Sequence, residues 1–305
     1  MTPRIVLALK IHDAELSALL HRDPLLKHAT SANPLHATHD SFMAPTALNW
    51  VYSLNQDAGL HTPISENAVP SHQSDLFTAY ITLEGIGVKI AEDRRKGNLD
   101  RDAFNTYQKS LTSWHQSYSE SVEEQDPDQL CLLPLWHWTY MNLLVDLDQL
   151  ESAIGRDGPE AAQDSMSYVS DWISTPNSSR CMLHAFLIQK QVQSFRFDQV
   201  PALHVPRILF STAVAWYCYI KYGPGNDALD SSVTVFDTSY PEFRAVTSSI
   251  RQLSSITSLS WKPGDLSSIK AATLCELGGL LRRMNEWGLA GSFEKVVARL
   301  VDSEA

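Results

Sequence analysis

The feature that most constrains this chain is the return of an apolar residue at every third or fourth position. Phe104, Tyr107, Leu111, Trp114 and Tyr118 follow one another at alternating steps of three and four residues. Because an α-helix turns once every 3.6 residues, side chains with this spacing share one face of a helix. Similar stripes occur between residues 133 and 150 and between residues 277 and 287. We therefore predict an all-α fold, an antiparallel helical array in a single large domain.

The beginning of the chain lacks this regularity. Residues 13–29 have only a weak helical pattern, and four prolines then interrupt the chain up to about residue 72. We predict an irregular or weakly helical N-terminal segment over residues 1–72 and a helical domain over residues 73–302. Pro and Gly positions and capping residues predict helices over residues 74–96, 134–153, 159–173, 206–221, 265–286 and 292–301. They also predict one helix that is capped by Asp100 and one that starts at residue 177 or 178. Residues 226–263 are predicted to be mixed, with Val233 to Phe236 fitting an extended piece.

Composition narrows the class of protein. With 305 residues and 44% apolar content, the chain can bury a large core. Its formal net charge of -11 opposes attraction to a phosphate backbone, so we expect no direct nucleic-acid binding. The apolar run from Ile5 to Leu9 is too short for a membrane span, so we expect no membrane partner either.

The cysteines and histidines do not match a known metal site. The four cysteines, Cys131, Cys181, Cys218 and Cys275, lie singly among apolar neighbours. This is typical of reduced thiols in the core of an intracellular protein rather than of zinc ligands or disulfides. His21, His28, His36 and His39 are crowded but lack partners at ligand spacing. We predict no metal and no cofactor, since a Walker loop and a dinucleotide fingerprint are also missing.

Three polar residues fall on apolar faces and are the candidate functional groups. Glu84 lies in a stripe between Ile81 and Val88, His137 is one turn before Tyr140, and His184 is one turn after Cys181. A buried carboxylate or imidazole must be hydrogen-bonded or paired. Two interpretations remain open for these groups. Either they line a small-molecule pocket together with Trp136 and Tyr140, or they are satisfied core groups, with Glu84 paired to Arg180 or Arg207.

Several segments resemble, in the same order, the regulatory domain of fungal-specific transcription factors. The resembling segments are Leu133 to Trp138 with its continuation through Glu151, Arg180 to Ala185, Pro206 to Phe210 with Ala215 to Tyr219, and Leu280 to Gly288. The resemblance covers about residues 74–302. It implies a helical domain that senses effectors and contacts other proteins, and it implies no catalytic residues. In that family the domain follows a zinc-binding module, for which this sequence has no paired cysteines.

Two functions follow as hypotheses. The first is a regulatory, effector-binding domain that does not itself bind DNA, acts through a small molecule or protein partners, and would be nuclear. The second is a cytoplasmic, cofactor-independent enzyme of a fungal natural-product pathway, catalysing a cyclisation, cycloaddition or isomerisation in a water-poor pocket. In that enzyme Glu84 or a histidine would be the acid or base. A deep cavity at these groups would favour the enzyme.

Overall fold

The computed structural model describes most of the chain. The described residues are 3–26, 76–121, 128, 130–195, 202–223, 240–254, 266–286 and 288–302. They form eleven α-helices and no strand, so the all-α prediction is confirmed. The predictions for His28, His36, His39 and residues 233–236 fall outside these ranges.

The chain divides into two compact units, Met1–Pro127 and Asp128–Ala305. The described part of the first unit has three helices, α1 (Pro3–Leu19), α2 (Leu76–Arg95) and α3 (Arg101–Ser121). Helix α1 lies in a segment that was predicted to be irregular or weakly helical, and it packs against α2. Periodicity identifies helices but not which of them pack together, so the sequence did not predict a division after Pro127.

Helix α3 is placed by its cap and by its apolar stripe. The Asp100 carboxylate accepts hydrogen bonds from the backbone N–H groups of Asp102 and Ala103, at 3.1 and 2.8 Å, as expected of an N-cap. Leu111, Trp114 and Tyr118 are all buried, which confirms the predicted stripe. The indole N–H of Trp114 donates to the Ala79 carbonyl at 2.9 Å and so links α3 to α2.

His115 makes the first unit sensitive to acid. Burial lowers the pKa of His115 from 6.5 to about 4. Between these values the unfolded chain binds a proton that the folded chain does not, so stability falls as the pH drops through this range and is fully present above it. Because the ring is only partly buried, we expect a loss of about 2 kcal/mol between neutral pH and about pH 4.

Urea unfolding at several pH values would measure this loss. His115→Gln removes this titrating group and should reduce the loss of stability on the acid side of the profile. His12→Gln, at an exposed position of α1, should retain the wild-type profile. An unchanged profile in His115→Gln would contradict the assignment.

The described part of the second unit has eight helices. They are α4 (Leu132–Leu144), α5 (Leu147–Ala153), α6 (Pro159–Ile173), α7 (Pro176–Gln193), α8 (Val205–Tyr222), α9 (Pro241–Ser254), α10 (Leu266–Arg283) and α11 (Gly288–Asp302). Helix α4 packs against α7, α5 against α6, and α8 against α4, α5, α7, α10 and α11. Helix α8 is therefore central to this unit.

The prediction of one continuous helix over residues 134–153 is wrong. Val145 is extended, with φ -144° and ψ 150°, and ends α4. Asp146 then caps α5, its carboxylate accepting from the Asp148 N–H at 3.1 Å, while its own N–H donates to the Tyr168 hydroxyl at 2.7 Å. A local cap and a tertiary hydrogen bond from α6 thus break a helix that apolar periodicity alone would continue.

The acidic residues after this break form ion pairs with Arg156. Arg156 donates to Asp148 at 2.6 Å and to Glu151 at 3.3 Å, and it also binds Asp157. The carboxylates therefore form an exposed ion-pair network on the surface of α5 and of the turn that follows it.

Helix α9 lies inside the segment that was predicted to be mixed. Its polar residues obscure its pattern, but Glu242 and Val246 are both 1% exposed. Glu242 accepts a hydrogen bond from Nε of Arg180 on α7 at 2.5 Å. A buried ion pair between distant segments holds this helix in place, and such a contact leaves no local signal in the sequence.

For three of the four cysteines the expectation of core thiols is confirmed, and for Cys275 it is wrong. Burial raises the pKa of Cys131 to about 11 and that of Cys218 to about 12, and it also raises the pKa of Cys181. Cys275 is exposed. Since the thiolate is the reactive form, only Cys275 should react rapidly with a thiol reagent in the folded protein.

A thiol titration would check this expectation. One of the four cysteines should react within the mixing time under native conditions, and all four should react in denaturant. The variant Cys275→Ser should lose the fast phase. Rapid modification of a second thiol would contradict the burial of the other three.

Candidate functional site

The candidate site in the second unit starts from the first turn of α4. The Asp128 carboxylate accepts from the backbone N–H groups of Leu132 and Leu133, both at 2.8 Å, and so caps the helix start. Cys131, just before the helix, has a positive φ of 53°, a conformation that is uncommon for a non-glycine residue. The Cys131 carbonyl accepts from Nε2 of buried His204 at 3.0 Å. These contacts fix where α4 begins and therefore which residues face the core.

Helices α4 and α7 bring two of the candidate residues together. Nδ1 of His137 lies 2.8 Å from Nδ1 of His184, and the two rings are 1% and 0% exposed. The residues are 47 positions apart in sequence. The structure therefore joins two histidines that the sequence identified separately, in a hydrogen bond between two core helices.

Two aromatic residues of α4 complete a cluster around this pair. Tyr140 stacks on His184, with ring centroids 4.7 Å apart and planes inclined by 11°. Trp136 meets His137, Tyr140 and His184 edge to face, at centroid distances of 4.9, 4.9 and 5.6 Å. Trp136 and Tyr140 are both 0% exposed. We refer to Trp136, His137, Tyr140 and His184 as the histidine cluster.

Gln191 is a member of this site that sequence reasoning missed. Its amide nitrogen lies 3.3 Å from Nε2 of His137. Gln191 follows His184 by seven residues, or two helical turns, and therefore lies on the same side of α7. A polar residue at that spacing from a buried histidine was the signal that would have identified it.

Glu84 belongs to the first unit, whereas the histidine cluster belongs to the second. Glu84 lies on α2 and is 4% exposed. One of its carboxylate oxygens lies within 4.8 Å of a carboxylate oxygen of Glu15, which lies on α1 and is also buried. Two carboxylates this close disfavour each other's ionised form. Glu84 is therefore one of two neighbouring buried acids.

The two arginines proposed as partners of Glu84 contact groups within the second unit. Arg180 donates to Glu242 and, through Nη1, to the Asn177 side chain at 3.2 Å, and its guanidinium lies 4.3 Å from the centre of the Tyr240 ring. The Arg207 guanidinium lies over Trp138, 3.8 Å from the ring centre. Both arginines are buried and help to hold the core of this unit.

The geometry of the histidine cluster sets limits on its chemistry. Its four side chains are at most 1% exposed, so a substrate cannot touch them unless α4 and α7 separate. A cavity of about 310 Å³ lies instead at the junction of α10 and α11. It is lined by Arg282, Asn285, Gly288, Gly291, Ser292, Glu294 and Lys295. The cluster is thus a closed polar junction in the core, able to share a proton between two rings.

Comparisons with known proteins do not assign this chain to a family. No family model, no curated protein and no solved structure was found to match the chain. Of the described helices, none is both long enough and apolar enough to cross a membrane. The case for a function therefore depends on the residues themselves.

Proposed function

We propose that the chain is a regulatory domain of the fungal transcription factor type that does not itself bind DNA. It acts through protein partners or a small-molecule effector, and its place of action is the nucleus. The net charge of -11 favours protein or effector partners over nucleic acid.

The observation that carries this proposal is the packing of the segments that resemble that family. Most of their described residues lie on α4, α5, α7, α8 and α10, and the helix pairs α4 with α7, α7 with α8, and α8 with α10 are all in contact. Segments up to about 150 residues apart in sequence thus share one core. This packing is expected if the segments were inherited together as one domain.

The burial of the histidine cluster also supports a regulatory role over a catalytic one. An enzyme requires its acid or base within hydrogen-bond reach of a bound substrate. His137 and His184 instead face each other in a closed core. A buried polar junction between helices is better suited to holding one conformation or releasing it.

A tethering experiment tests the proposal. The full chain is fused to a heterologous DNA-binding module, and transcription is measured from a reporter carrying that module's site in a fungal host. We expect a several-fold change relative to the module alone. A fusion carrying Trp136→Ala, which disrupts the core of the second unit, should lose the effect. A fusion carrying Glu294→Gln, at a surface ion pair, should retain it.

A reporter that does not respond to the wild-type fusion, although the fusion is folded and nuclear, would overturn the proposal. A response that survives Trp136→Ala would show that the second unit is not responsible for it.

A further inference from the structure

The hydrogen bond between His137 and His184 joins the Nδ1 atom of one imidazole to the Nδ1 atom of the other. A neutral imidazole carries a hydrogen on one ring nitrogen, which donates, while the other nitrogen accepts. At a separation of 2.8 Å, one Nδ1 must therefore carry the hydrogen and the other must not. The two neutral rings must therefore be different tautomers, and the tautomer of one ring fixes the tautomer of the other.

Gln191 can satisfy the outer nitrogen of His137 in two ways. When its amide nitrogen faces the ring, Nε2 of His137 accepts, and His137 donates through Nδ1 to His184. The oxygen and nitrogen of a glutamine amide are nearly equal in size, so a half-turn presents the oxygen at the same place. The oxygen would accept from an Nε2–H group. Gln191 is thus compatible with neutral His137 and with protonated His137.

Tyr140 favours a positive charge on the pair. Its ring face lies on His184. Aromatic faces attract cations, which offsets part of the free energy needed to bury one. One added proton is therefore compatible with the contacts of this core.

The ionisable groups named here, on the helices around the pair, have other partners, are neutral or are exposed. Lys190 donates to Gln193 at 3.0 Å, Glu276 on α10 accepts from Gln189 and Gln193, and Arg207 on α8 lies over Trp138. The Cys181 thiol, one turn before His184, is kept protonated because burial raises its pKa. The acids of α6 are exposed; they are Glu160, Asp164 and Asp171. Each of these groups is thus accounted for by its own contacts, its burial or its exposure.

We propose that His137 and His184 form a one-proton switch that ties α4 to α7. The hydrogen bond survives when the pair is neutral and when one ring is protonated. A second proton would set two N–H donors against each other at 2.8 Å and place two positive charges side by side, so it requires the helices to separate. Acidification thus loosens α4 from α7 in a single step, whether or not the chain regulates transcription.

Nitrogen NMR of the full chain, labelled with ¹⁵N-histidine, tests the geometry directly. Near neutral pH we expect one of the two Nδ1 atoms to be protonated and the other not, with a scalar coupling across the hydrogen bond. The spectra of His137→Asn and His184→Asn assign the signals. Two unprotonated Nδ1 atoms without a coupling between them would overturn the proposal.

Proton uptake on unfolding tests the switch itself. Near pH 5 the two histidines of the unfolded chain bind about two protons, whereas the folded pair holds at most one. For each pH unit of acidification, the unfolding constant of the wild type should therefore rise by a factor about ten times larger than the factor for the double variant His137→Asn/His184→Asn. Asparagine retains a donor and an acceptor near the Nδ1 position but does not titrate, and His115 is present in both proteins. Equal pH dependences would mean that both rings bind protons in the folded state, and the one-proton switch would be excluded.

Discussion

Replacing Glu242 with glutamine is expected to lower the free energy of unfolding of the second unit by about 3–5 kcal/mol. The Arg180 and Glu242 side chains are 8% and 2% exposed, so the substitution leaves a cation in the core without its counter-charge. Urea unfolding followed by far-UV circular dichroism would measure the loss. Burying a charge without compensation is among the largest single effects that a substitution can have.

The chain provides a matched control for this experiment. Arg282 and Glu294 form an ion pair with the same N to O distance of 2.5 Å, but Arg282 is 75% exposed. Glu294→Gln should therefore have a much smaller effect. The double variant Arg180→Met/Glu242→Leu, which removes both charges, should recover most of the stability lost in Glu242→Gln. Equal effects in Glu242→Gln and Glu294→Gln would contradict the burial of the Arg180 pair.

Truncating Trp136 to alanine is the second large perturbation that we expect. The side chain is 0% exposed and contacts His137, Tyr140 and His184, so its removal leaves a cavity at the contact between α4 and α7. Removing a fully buried tryptophan of this kind destabilises a protein by about 3–5 kcal/mol. The measurement is again urea unfolding, and Trp136→Phe should recover part of the loss.

Trp216 on α8 serves as the control, because it is only partly buried. Trp216→Ala should destabilise the second unit less than Trp136→Ala. If Trp136→Ala unfolds at the same urea concentration as the wild type, the histidine cluster is not the packed core described above.

The helices of this fold could be predicted where the sequence carries a local signal. The stripe through Leu111 and Trp114, the cap at Asp100, and the helix starting at Pro159 all depend on residues a few positions apart, and the structure has each of them. The break at Val145 and the helix around Glu242 were missed because they depend on partners far along the chain, Tyr168 and Arg180. Periodicity cannot report such contacts.

The candidate site was predictable in its members but not in its arrangement. Polar residues on apolar faces identified Glu84, His137 and His184, and all three are buried. The sequence could not show that the two histidines bond to each other, because that contact depends on how α4 crosses α7. It also gave no reason to separate Glu84, in the first unit, from the histidine cluster in the second.

We propose that the chain binds and regulates rather than catalyses, and this claim can be tested directly. The most direct measurement is native mass spectrometry of the purified full chain after incubation with an extract of its source organism. We predict a complex with a protein partner, or with a small molecule that is released chemically unchanged. A small molecule that returns chemically altered, or a folded chain that binds nothing, would contradict the claim.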